Sequence, residues 1–89
     1  MSGKRRRLDR RALLDAKLTE LMLLAKELCP EATVKADPFG YEEEDGHVDV
    51  LLPSEPSEDD HDRIATALAD RTAKIYDETG LFLVFAVLY

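Results

Sequence analysis

One cysteine, no tryptophan and four isolated glycines exclude several kinds of chemistry from this 89-residue chain. Cys29 alone cannot close an intrachain disulfide, so the chain is not built for an oxidising compartment, and the cytoplasm is the expected location. Gly3, Gly40, Gly46 and Gly80 lie far apart, and no phosphate-cradling loop can be made from them. No apolar stretch approaches the ~20 residues of a membrane helix; the terminal one, residues 81–89, has nine. The basic start Lys4-Arg5-Arg6-Arg7 has the charge of a signal-peptide n-region, but Asp9, Arg10, Arg11, Asp15 and Lys17 break any apolar stretch behind it. Catalysis is equally hard to seat. Cys29 stands between Leu28 and Pro30 with no histidine near it in sequence, and the abundant carboxylates form no recognisable acid–base pair, so the expectation is a protein that is not an enzyme.

What is present is charge, unevenly laid out. The net charge is −7, yet residues 1–11 carry Lys4, Arg5, Arg6, Arg7, Arg10 and Arg11 against Asp9, a net of +5, and residues 12–89 carry a net of −12. From Glu42 to Asp62 there are ten acidic residues and no lysine or arginine. Residues 1–8 therefore read as a disordered basic arm and residues 9–89 as a single α+β domain. A domain this small buries only about 60% of the surface its unfolded chain exposes, so help from a partner is in keeping with its size.

Periodicity supplies the elements. Leu14, Leu18, Leu21, Ala25 and Leu28 recur at intervals of 4, 3, 4 and 3 along one face of a helix over about residues 9–28, which Pro30 stops. Leu13 and Leu24 form a second stripe that reaches another layer. Residues 32–37 and 47–52 alternate apolar and polar and read as two strands of a hairpin, with Asp45-Gly46 as a turn signal and Phe39 and Tyr41 prolonging the first strand beyond Pro38. Ser57-Glu58-Asp59-Asp60 has capping-box spacing and opens a second helix, with Ile64, Leu68, Thr72, Ile75 and Tyr76 on its apolar stripe and Gly80 just past its end. Residues 81–89 form a last strand, apolar on both faces.

The order αββαβ predicts a two-layer sandwich: a three-stranded mixed sheet, both helices on one face, the last strand parallel to the second and at an edge. An edge strand of that composition invites pairing, so completion by a homodimer is expected, with Phe82, Val84 and Leu88, helped by Leu13 and Leu24, as the interface. Covering three large side chains per copy removes six from water per dimer, worth roughly 9 to 18 kcal/mol. The freedom lost on association costs ~4 to 15 kcal/mol.

Two further sets of residues carry chemistry. His47 with Asp49 on the second strand, and His61 beside Asp60 at the start of the second helix, are imidazole and carboxylate donors of the kind that bind zinc, which makes a divalent metal the one cofactor the residues allow. The bland alternative is acidic decoration of a helix N-terminus beside an exposed strand histidine. The element order, with a leading helix and an acidic, capped second helix, resembles the cytoplasmic C-terminal domain of cation diffusion facilitator transporters. That resemblance covers most of the chain and implies a dimer that binds divalent metal through its hairpin strands, where His47 and Asp49 stand. It departs in the final strand, which has no ligand-type side chain.

The basic arm, Lys4, Arg5, Arg6, Arg7, Arg10 and Arg11, could neutralise phosphates, making a nucleic-acid-associated protein the third reading. The strongly acidic body argues against it, since it repels what the arm attracts, and an arm that docks on acidic surface of its own or a neighbouring chain fits better. The expectation is a small cytoplasmic interaction module of accessory or regulatory type, a homodimer with an unidentified protein partner and no membrane association.

Overall fold

Helix α1 occupies Ser2–Leu28, and its inward face is the one the leucine spacing marks: Leu18, Leu21 and Ala25 are buried, while Leu14 and Leu28 pack partly against the core. The computed structural model describes the backbone of residues 2–38 and 44–89 and the side chains of residues 10–38 and 44–89. Residues 2–8, expected as a disordered arm, continue the helix in their backbone, consistent with the good helix propensity of Lys and Arg. This lengthens the molecule to 51 Å in one direction against 24 and 21 Å in the others.

Strands β1 (Thr33–Asp37), β2 (Gly46–Leu51) and β3 (Leu83–Leu88) and helix α2 (Glu58–Thr79) complete the order αββαβ. The sheet order is β1-β2-β3, with β1 and β2 antiparallel and β2 and β3 parallel, so β3 is an edge strand, as the short hairpin and the single crossover require. Asp45-Gly46 does not form the centre of a turn. Gly46 is instead the first, buried residue of β2, because α1 passes so close there that Leu14 and Leu18 occupy the space a side chain would need. Phe39 and Tyr41, expected to prolong β1, lie outside the described residues.

Both helices cover one face of the sheet. Val48 and Val50 of β2, Leu81 and Leu83 at the start of β3, and Ile64, Leu68 and Ile75 of α2 join the α1 leucines in one core. The expected second stripe of α1 belongs to this interior too: Leu13 and Leu24 are half-buried against the core. Arg71 and Lys17 both hold Glu20, at 3.0 and 3.2 Å, and Arg63 reaches the carbonyl of Leu28, so the two helices are tied along the side where they meet. At the start of α2 the Ser57 hydroxyl accepts from the amide of Asp60 at 3.1 Å. At its end Gly80 takes a left-handed conformation, φ 77°, and donates its amide to the carbonyl of Tyr76.

Candidate interaction surface on the terminal strand

On β3 the side chains alternate as the pleat demands. Leu83 is buried against the helices and Phe85 and Val87 pack partly against the core. On the other face Leu88 is 43% exposed, with Val84 and Ala86 half-buried beside it, while Phe82, 47% exposed and just before the strand, turns its ring to the flank of α2. The adjoining residues of β2 on this outer face are His47, Asp49 and Leu51, followed on β1 by Asp37, Lys35 and Thr33. The outer face is thus polar over β1 and β2 except at Leu51, and apolar over β3.

The backbone of β3 alternates in step. The carbonyl of Phe82 accepts from Asp45 and that of Leu88 from Leu52, both at 2.7 Å, and the amide of Phe82 donates to the Asp45 carboxylate at 2.7 Å. Even-numbered residues therefore turn their peptide groups toward β2. By the same alternation Leu83, Phe85 and Val87 turn theirs to the open edge of the sheet. The opposite edge, β1, is guarded by Lys35 and Asp37, whereas β3 has no charged residue.

Beside the β3 edge lies an apolar groove of about 450 Å³ between Thr72, Ala73 and Tyr76 of α2 and Phe82 and Leu83. The Tyr76 ring meets that of Phe82 edge-on, with centroids 6.5 Å apart, and is itself 56% exposed. Tyr76 was expected on the buried stripe of α2. It lies instead on the flank turned away from α1, one step round the helix from Ile75, and an i, i+1 pair in sequence cannot say which of the two points inward. Tyr89, 68% exposed, completes the aromatic set; a terminal tyrosine after a strand gives no signal in sequence beyond its size.

The residues proposed for metal fall in two places. His47 offers Nε2 to Asp49 at 2.7 Å and Nδ1 to Glu44 at 3.5 Å, with Asp37 opposite on β1. Burial disfavours its charge, but hydrogen bonds and attraction from Asp49 and Glu44 outweigh that, and its pKa is raised above the ordinary value. This is a seat for an imidazolium between carboxylates. His61 and Asp60 stand in the first turn of α2, where His61 borders a hollow with Glu58, Asp62 and Tyr89. His47 is level with the start of β3 and His61 with its end, so they do not meet. Among the described residues no three His, Cys, Asp or Glu side chains are grouped to hold a metal ion.

Of the basic arm, Arg10 docks on Asp45 at 3.2 Å, the same carboxylate that caps the start of β3, and Arg11 is exposed. The side chains of Lys4, Arg5, Arg6 and Arg7 lie outside the described residues. Among the described residues no helix is long and apolar enough to cross a membrane. No protein-family model matches the chain, and comparison with curated proteins and with solved structures finds no match. The likeness to the cation diffusion facilitator domain therefore rests on element order alone.

Proposed function

We propose that this chain is a cytoplasmic homodimeric interaction module, accessory or regulatory in role, and that it associates through β3. The observation that carries this reading is the combination, on one strand, of an open backbone edge, no charge and two half-exposed large side chains, Phe82 and Leu88. Magnitudes decide how the strand is used. Fully burying such a side chain is worth about 1.5 to 3 kcal/mol, but Phe82 and Leu88 are already more than half covered. Four of them per dimer then contribute roughly 3 to 6 kcal/mol, which reaches only the low end of the ~4 to 15 kcal/mol that association costs. Face contacts alone fall short, so the peptide groups on the edge must take part, each net hydrogen bond adding about 0.5 to 1.5 kcal/mol.

Light scattering at micromolar concentration should give about twice the 10.0 kDa chain mass. Val84→Asp places a carboxylate on the apolar half of the outer face and should shift the mass toward one chain while the circular dichroism stays that of an α+β fold. A protein that remains monomeric up to millimolar concentration removes the proposal.

A further inference from the structure

Resting on that dimer reading, we infer that the second copy adds antiparallel to the open edge of β3 in one register, with Phe85 on the two-fold axis. Two neighbouring antiparallel strands related by a two-fold have that axis perpendicular to the sheet. Each residue then opposes one whose number has the same parity, and side chains of like face lie side by side. The register is fixed by which residue sits on the axis.

With Phe85 there, it opposes its own copy and Leu83 opposes Val87 of the second copy. These three are the residues whose amides and carbonyls turn outward, so all of them are used, in six hydrogen bonds on the pattern of an antiparallel ladder. Among the even-numbered positions, residue 82 then stands opposite Leu88 of the second copy, and Val84 opposite Ala86. Leu88 of each copy, exposed on the outer face, is thereby brought beside position 82 of the other, twice per dimer. Moving the axis to Val84 or to Ala86 sets Val87 or Leu83 opposite a residue outside the strand and leaves four hydrogen bonds within it in place of six.

The helix side agrees independently. Ten of the 22 residues of α2 are charged, yet the flank through Ala65, Ala69, Thr72, Ala73 and Tyr76 carries no charge. The same two-fold brings this flank against its copy, where small side chains permit close approach of the axes. In a chain of net charge −7 this sets uncharged helix surface against itself from Ala65 to Tyr76. The groove bordered by Tyr76 and Phe82 faces the helix-side residues of the incoming strand's end, Val87 and Tyr89 of the second copy. Taking about 200 Å² for an exposed aromatic side chain, the exposed parts of Tyr76, Phe82 and Tyr89 hold about 340 Å² per copy. A specific interface needs about 600 Å² per partner at the low end, so the rings supply more than half before backbone and alanine stripe are counted.

The register can be read by disulfide trapping in a Cys29→Ser background. Residues 82 and 88, and 84 and 86, oppose each other in non-hydrogen-bonded pairs with Cα atoms about 4.5 Å apart, within disulfide reach. A mixture of Phe82→Cys and Leu88→Cys proteins should oxidise to a linked heterodimer, as should Val84→Cys with Ala86→Cys. Phe82→Cys alone should not link to itself, its twin lying about 20 Å away along the strand. Both members of the first pair are about half exposed, which spares the core, and circular dichroism checks each fold. If light scattering shows a dimer but the mixtures fail to link, or Phe82→Cys links to itself, the register is overturned and the dimer reading stands. If the unsubstituted protein is monomeric, the dimer reading falls and takes the register with it.

Discussion

Replacing Gly46 by alanine tests how tightly α1 is pressed onto the sheet. An ideal Cβ at this position would stand 3.1 Å from Leu18 Cδ2, 3.2 Å from Leu83 Cδ2 and 3.3 Å from Leu14 Cδ1. Unstrained carbon contacts are about 3.5 to 4.0 Å, so all three leucines must give by a few tenths of an ångström. Leu14 is half-buried and can turn, but Leu18 and Leu83 are 4% and 3% exposed and approach from different elements, so the methyl acts as a wedge between α1 and β3. Overpacking of this kind costs about 1 to 3 kcal/mol. Gly46 does not have a positive φ, so alanine suffers no backbone strain and recovers about 0.4 to 1 kcal/mol by restricting the unfolded chain. The net expectation is a loss of about 1 kcal/mol, a fall in Tm of about 4 to 8 °C for a domain of this size. Urea and thermal unfolding should be run at one protein concentration, because dimerisation makes the midpoint concentration-dependent. Adding Leu83→Val should restore part of the loss in the Gly46→Ala background and show positive coupling in a double-mutant cycle. An alanine variant as stable as the parent, or more so, would mean that the leucines have slack and that closeness is not why glycine stands here.

Gly80→Ala makes the same chemical change for an opposite reason: no atom of the described residues lies within 4 Å of the new methyl, but φ is +77°, and holding alanine there should cost about 1 to 2 kcal/mol in chemical denaturation. His47 should make stability fall as pH rises. Its pKa is raised above 6.5, so its contribution is complete below about that pH and fades as pH climbs through the higher folded-state value. His47→Gln should flatten the decline between pH 6 and 8, and an unchanged slope would discount the carboxylate seat. Glu20 works the other way. Burial alone would raise its pKa, but Lys17 and Arg71 lower it below 4.5, so its contribution holds above that value and is lost on acidification; Arg71→Ala should move the acid limb of unfolding upward. Zinc should leave the melting curve in place, since His47 is engaged by carboxylates and His61 is at the other end of the sheet; a rise that disappears in a His47→Ala, His61→Ala variant would restore the metal reading.

Sequence periodicity carried the architecture because each element has its own phase. The 4-3-4-3 leucine spacing named the buried face of α1, the Ser57 cap and Gly80 bracketed α2, and the short hairpin forced β3 to the edge. What it could not carry were facts set by another element's position. Gly46 reads as a turn glycine after an aspartate, and only the passage of α1 overhead makes it a strand residue. Leu13 and Leu24 are apolar in a second phase, and no local pattern says whether a partner or the same chain covers them. The histidines look alike as metal donors in sequence, but the parallel crossover separates them by the length of a strand. Tyr76 and the groove beside Phe82 depend on how α2 lies over β3, which composition does not encode.

Because β3 is joined to β2 only through the α2 crossover, it is the last of the three strands to be synthesised. At about 5 to 20 residues per second, the hairpin emerges seconds and α2 about a second before it, and during that interval the edge of β2 that will bond β3 is bare, with the peptide groups of Val48 and Val50 unpaired. A nascent chain at this stage is a receptor for the missing strand, and on a crowded polysome the nearest donor is the finished strand of the chain ahead. The bonds that the carbonyls of Phe82 and Leu88 accept from the amides of Asp45 and Leu52 then compete with the same bonds made between molecules, and strand exchange is the error to which this topology is most exposed.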